Sequence, residues 1–228
     1  MSRTVLIVVA HPDDEVLGCG ATMYRHATQG DEVHVVTMTD GVGARGADEE
    51  AVTRRQDAAR RAAKLLGVSS IAFHGFPDNQ LDSVPLLEIV NTIETAVAEL
   101  QPEIVYTHHH GDLNVDHGIV ARALLTACRP LPGSSVARIL ACETASSTEW
   151  AFPAASMFRP QYFVDVTDSI DAKVAALRCY QDELRVFPHP RSEEHLLSRA
   201  KVRGAESGFG AAEAFEVLRE RVSVESDL

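Results

Sequence analysis

Over the first two-thirds of the chain, short runs of branched apolar residues alternate with longer stretches of helical periodicity. VLIVVA at 5–10 reads as a strand, a helix is predicted from about Val16 to Gly30, and EVHVVTMTD reads as the next strand. This rhythm predicts βαβ units and a parallel sheet. GVGARGADEE at 41–50 is a polar, Gly-rich loop, after which AVTRRQDAARRAAKLLG sets Val52, Ala59, Ala63 and Leu66 on one helical face and stops at Gly67. IAFHGF is the third strand candidate. Pro85 opens a helix through Leu100 with Leu86, Ile89, Val90, Ile93 and Val97 as its stripe, and Pro102 forbids continuation. EIVYTHHHGDLNVDHG is a fourth strand that breaks into a loop rich in His and Asp. A helix from about Asp116 to Cys128, strands around VARILAC and YFVDV, and a helix from Asp168 to Leu184 follow. RVFPHPRSEEH reads as a loop entering a helix, and GFGAAEAFEVLRERV fits a short strand, a helix or both. Neither repeats nor a linker divide the chain, so residues 1–228 are expected to form one domain.

Composition narrows the function. Acidic residues outnumber basic ones 33 to 21, for a net charge of −12, which argues against a nucleic-acid partner because a polyanion needs clustered Lys and Arg. VLIVVA is six residues long and runs directly into charge, so it is expected to be neither a membrane span nor a signal segment, and the protein is expected to be cytoplasmic. Cys19, Cys128, Cys142 and Cys179 stand far apart without a C-x-x-C pair and read as reduced, mostly buried thiols.

The chemistry concentrates at two strand ends. A doubly wound sheet runs outward from its first strand in one direction and from its fourth in the other, so the loops after those strands flank a crevice where ligands bind. His11, Asp13 and Asp14 leave strand one; His108, His109, His110, Asp112, Asp116 and His117 follow strand four. Nitrogen and oxygen ligands without thiolate suit Zn2+, with Fe2+, Mn2+ or Ni2+ as alternatives, and a catalytic zinc takes three protein ligands. His11, Asp14 and one loop histidine would supply such a set. Adjacent residues in a turn project differently, so one of Asp13 and Asp14 can bind the ion while the other faces a metal-activated water, the equipment for hydrolysing an amide or ester. Gly18 and Gly20 raise a dinucleotide-binding reading, but Met23 breaks that pattern and the aspartates occupy the place of a pyrophosphate; close helix-to-strand packing explains the glycines better.

AHPDDE at 10–15 together with GDLNVDH at 111–117 resembles the PIG-L/LmbE family of zinc-dependent N-deacetylases, with RRQDAARRAAKLLG, FPDNQLD, CYQDEL, HPRSEEH and AEAF as weaker matches in the same order. The resemblance implies a Rossmann-like three-layer α/β sandwich with a mostly parallel central sheet. It also implies hydrolysis of an N-acetyl group on an amino sugar or its conjugate, a small-molecule substrate. His11, Asp14 and His117 match the metal ligands, Asp13 the general base and Asp116 an acid that orients the site. Asn114 stands where many members have a proton-donating histidine, so His189 or His109 is the candidate replacement, unless Asp13 returns the proton it takes. Arg55, Asp78, His109, Arg191 and Arg45 are candidates for substrate contacts, and Trp150 for a sugar-stacking platform or a core position. Arg54, Arg60 and Arg61 read as a solvated helix face. Alternatives are an amidase for a larger acyl or thiol-conjugate substrate, and a non-catalytic sugar- or metal-binding module; oligomeric state, a homo-oligomer included, is left open.

Overall fold

The computed structural model describes residues 2–46, 49–151 and 157–222. Among them, β1 (Thr4–Val9), β2 (Glu32–Thr39), β3 (Ser70–Phe76), β4 (Ile104–His108), β5 (Arg138–Cys142), β6 (Tyr162–Asp165) and β7 (Ala212–Glu220) form one sheet in the order β3-β2-β1-β4-β5-β7-β6. β1 pairs in parallel with β2 and β4, Ile7 standing opposite Val35 and Tyr106. Only β7 runs antiparallel to its neighbours β5 and β6.

The sheet is covered on both faces, which makes a three-layer α/β sandwich. One layer is α1 (Asp14–Thr28), α2 (Glu49–Leu65), α5 (Ile170–Leu177) and α6 (Glu193–Ser207), and it packs on Val5, Ile7 and Val9. The other is α3 (Leu86–Leu100) and α4 (Val115–Ala127), and it packs on Leu6, Val8 and Ala10. This explains why VLIVVA shows no alternation: a central parallel strand buries both of its faces. Residues 5–10 are all 0% exposed, and each of their larger side chains contributes roughly 1.5–3 kcal/mol of burial.

Two elements depart from the sequence expectation. The helix predicted to Leu184 ends at Leu177, and residues 178–184 coil in turns closed by bonds such as Glu183 N–H to Tyr180 O at 2.9 Å. Side-chain pairing outcompetes helix propagation here, because the Tyr180 hydroxyl bonds Glu15 and Glu183 bonds two arginines. Helix α1 begins two residues before the predicted Val16, with Asp14 and Glu15 in its first turn, where carboxylates complement the helix dipole. The ambiguous GFGAAEAFEVLRERV resolves into β7. Gly18 lies so close to β5 that a Cβ there would stand 2.5 Å from Cys142 Sγ, which accounts for one of the two glycines. No helix among the described residues is long and apolar enough to cross a membrane.

Candidate active site

The C-terminal ends of β1 and β4 lie side by side, and the turns that leave them converge. Asp13 takes a positive φ of 132° at the turn, and Asp14 enters α1, so the two neighbouring carboxylates point apart. Asp14 turns toward the histidines; Asp13 turns toward two arginines.

On the Asp14 side, three atoms form a small triangle. His11 Nδ1 lies 3.0 Å from Asp14 Oδ2, His117 Nε2 lies 3.2 Å from the same oxygen, and the two ring nitrogens are 3.3 Å apart. Donors bound at zinc distances of about 2.0–2.1 Å in a tetrahedron stand about 3.3 Å from one another, so this triangle matches one face of such a site. The other oxygen of the Asp14 carboxylate, Oδ1, is buried without a hydrogen bond, so the negative charge of Asp14 is only partly met within the protein. The remaining nitrogens face carboxylates: His11 Nε2 is 3.1 Å from Asp78 Oδ1 and 3.2 Å from Asp116 Oδ2, and His117 Nδ1 is 3.2 Å from Asp112 Oδ1. Carboxylates behind ligand imidazoles fix ring orientation and raise ligand basicity. The donor set therefore fits a divalent ion.

Electrostatics agree with this geometry. Burial alone would lower the two imidazoles, but Asp116 and Asp14 hold His11 well above the ordinary histidine range, and Asp14 with Asp112 brings His117 to about 9. Burial would raise Asp14, and His117 and His108 hold it well below the carboxylate range instead. These opposed shifts are what close pairing of imidazoles with carboxylates produces. His108 is different: burial and then His117 push it down to about 3, and its Nε2 accepts the Ala10 N–H at 2.8 Å while its ring stacks on His117 at 3.8 Å. It is a neutral wall behind the triangle.

On the other side, Asp13 is 1% exposed, and its Oδ2 takes Arg191 Nη1 at 3.1 Å and Arg55 Nη1 at 3.2 Å. Burial raises its pKa against the pull of Arg191 and Arg55. Asp13 N–H donates to Glu15 Oε2 at 2.9 Å, and burial carries Glu15 up to about 7 despite the bond from Tyr180.

The comparisons with known proteins bear on the same segments. A family model described as PIG-L, GlcNAc-PI de-N-acetylase, matches residues 6–128. The uncharacterized deacetylase YaiS of Escherichia coli K12 is 33% identical over 182 residues, covering 77% of this chain and 89% of YaiS. The chain belongs to the PIG-L family. Another relative of this PIG-L chain, 4-oxalmesaconate hydratase of Pseudomonas putida KT2440, is 29% identical and covers 78% of this chain and 72% of the hydratase. The N,N'-diacetylchitobiose deacetylase structure from Pyrococcus horikoshii superposes with a TM-score of 0.78 at 24% identity, over 95% of this chain and 84% of that one, a likeness of fold.

Within this PIG-L fold the remaining predicted residues take varied places. Asp78 reaches the cluster from the loop after β3. Asn114 caps α4, its Oδ1 accepting the Asp116 N–H at 2.9 Å and its Nδ2 donating to Asn79 Oδ1 at 2.8 Å. His109 meets Glu216 Oε2 through Nδ1 at 2.6 Å. His189 is half-buried; its Nδ1 accepts the Arg191 N–H at 3.1 Å and its ring meets Trp150 edge-on at 5.8 Å. Arg55 and Arg191, expected to face a substrate, pair with Asp13 and Glu183. Arg54 is exposed beside Glu50, the Trp150 indole is 48% exposed in a short 3₁₀ turn, and the side chain of Arg45 lies outside the described part. Sequence reasoning gave no role to Asp112 or Glu183. Asp112 is anchored by Ser147 and Thr148, the latter bond 2.6 Å, and its only signal was its place in GDLNVDH.

Proposed function

We propose that this chain is a cytoplasmic, zinc-dependent N-deacetylase of small amino sugars or their conjugates, working as a single domain over 1–228. The observation that carries the reading is the pair of diverging aspartates: Asp14 in a triangle with His11 and His117, and Asp13 held apart by two arginines. Asp13 stands outside the ligand triangle, so a binding module would need it only for its ion pairs with Arg55 and Arg191.

A divalent cation held by His11, Asp14 and His117 would polarise the amide carbonyl and ease deprotonation of a water molecule. The chain's own residues do the rest. Asp13 Oδ2 is fixed by Arg55 and Arg191, which leaves Oδ1, with no hydrogen bond among the described residues, to take a proton from the attacking water. Asp116 and Asp78 keep His11 oriented, and Asp112 offers His117 an ion-pair partner 3.2 Å from its Nδ1. Asn114, with one Nδ2 hydrogen on Asn79, can donate a hydrogen bond but as an amide has no proton to give up to the departing amine. His108 is neutral and already accepts a backbone N–H. In this reading Asp13 returns its own proton to the amine, one carboxylate serving as base and then as acid, in place of His109, whose Nδ1 pairs with Glu216, and His189, whose Nδ1 accepts the Arg191 N–H.

The test is acetate release from a panel of N-acetylated sugars by protein loaded separately with Zn2+, Fe2+, Mn2+ and Ni2+, with elemental content measured in the same samples. Turnover of N-acetylglucosamine-type amides is expected, with longer acyl groups and thiol conjugates slower. The hydratase relative supports a second reading, water addition to an unsaturated acid; turnover of such acids with inert amides would replace the first reading by the second. Sugar and metal binding without turnover of either would leave the binding module.

A further inference from the structure

Asp13 belongs to a closed ring of charges. Its Oδ2 meets Arg55 Nη1 and Arg191 Nη1; Arg55 Nη2 donates to Glu183 Oε1, and Arg191 Nη1 donates to Glu183 Oε2 at 2.5 Å. Two positive and two negative side chains thus alternate. They come from four separate places: the turn after β1, helix α2, the turns after α5, and the loop before α6. The side chains of Asp13 and Glu183 are each 2% exposed and that of Arg55 is 6% exposed.

We infer that Glu183 is a positioning residue for Asp13, fixing which of its two oxygens faces the reacting water. The inference rests on Asp13 being the base. Two guanidiniums beside one buried carboxylate leave an unbalanced positive charge, and each fork has donors to spare. Without a second acceptor they would spread over both oxygens of Asp13, occupying the one a water must reach. Glu183 offers each arginine an oxygen of its own and draws both forks to the far side. The two cations are further fastened by Pro12 O, 2.8 Å from Arg55 Nη1, and by Ser146 Oγ, 2.7 Å from Arg191 Nε. Arg191, at 19% side-chain exposure, is the member with room to swing, so Glu183 restrains it most.

The test compares Glu183→Gln, which keeps the shape and removes the charge, with Glu183→Ala assayed with and without added formate. A positioning role predicts that kcat of the Gln variant falls on the order of 10²-fold while KM moves less than about threefold. Metal stoichiometry should stay close to the parent, Tm should fall because a buried guanidinium loses its counter-charge while the protein stays folded at the assay temperature, and formate should restore part of the Ala variant's rate. A crystal structure of the Gln variant should show the Asp13 carboxylate turned, with an arginine on Oδ1. An unchanged Asp13 orientation, a kcat within about threefold of the parent, or a loss carried by KM overturns the inference. Unfolding of both variants overturns it too, since the ring would then be a staple of the fold. If the parent hydrolyses no amide at all, the proposed function fails, and the orientation of Asp13 in the crystal still decides the role of Glu183.

Discussion

Replacing Asp116 by Asn should weaken cation binding although Asp116 is outside the triangle. The carboxylate is 0% exposed; its Oδ1 accepts the Leu81 N–H at 3.0 Å, and its Oδ2 accepts the Asn79 N–H at 2.7 Å and faces His11 Nε2 at 3.2 Å. An amide at this position has to set its NH2 against one of these groups. Turned toward Asn79 it loses two partners, and turned toward Leu81 it loses one, so the second orientation wins. The Leu81 N–H is then left buried without an acceptor, at about 1–3 kcal/mol of stability, and His11 Nε2 meets a neutral oxygen where it had an ionised one. Loss of such an orienting carboxylate lowers metal affinity about 10–100-fold. Asp78 Oδ1, 3.1 Å from the same nitrogen, remains as a second acceptor, so the single variant belongs at the lower end and Asp78→Asn/Asp116→Asn at the upper. The assay is competition for Zn2+ between apo-protein and a chromophoric chelator, with thermal unfolding of the same samples. An affinity of Asp78→Asn/Asp116→Asn within about threefold of the parent would refute the reasoning, because His11 would then need no carboxylate behind it.

Asp13→Asn should lower the rate on the order of 10²–10⁴-fold with metal content unchanged, and elemental analysis that shows the metal departing with the activity would end its assignment as the base. Gly18→Ala brings a Cβ to 2.5 Å from Cys142 Sγ and should cost about 1–3 kcal/mol, largely recovered by adding Cys142→Ala; equal denaturation midpoints for parent and Gly18→Ala would contradict the packing argument. Burial would raise Asp31, but hydrogen bonds from Arg3 and His26 hold it at about 2 against an ordinary 3.8. Its stabilising contribution is therefore present above about pH 4 and lost as pH falls toward 2. With Arg3 partly in solvent this amounts to about 1–2 kcal/mol, and the acid limb of Tm against pH should be shallower in Asp31→Asn.

How much of this was legible depends on whether burial leaves a periodic trace. VLIVVA and the stripe of α3 read directly, since each buries the faces that its period predicts. The meeting of AHPDDE and GDLNVDH follows from sheet order: β1 and β4 are neighbours, and their exits share a crevice. β7 was ambiguous because its alternation is broken by carboxylates turned inward, Glu213 bonded to Lys173 at 2.6 Å and Glu216 to His109. Glu183 was invisible for a related reason. It lies in turns that the pattern reads as helix, and its meaning depends on Arg55 and Arg191, which sequence reasoning had sent to the substrate.

The divergence of Asp13 and Asp14 is the step on which the division between ligand and base depends, and its cause is in the backbone. A φ of 132° at Asp13 ends the strand's direction before α1 begins, so side chains of consecutive residues leave on opposite sides. A non-glycine residue in that region stores about 1–3 kcal/mol of strain. Glycine would relieve it, less about 0.5–1 kcal/mol for its freer unfolded chain. Comparing Asp13→Gly with Asp13→Ala isolates this quantity, because both variants lose the same ion pairs and both should be inactive. The Gly variant should be the more stable by about 1 kcal/mol, or about 2–4 °C in Tm for a chain of this size. An Ala variant at least as stable as the Gly one would mean that the turn holds no strain, and the separation of the two carboxylates would then have to come from their partners alone, Arg55 and Arg191 drawing one way and the histidines the other.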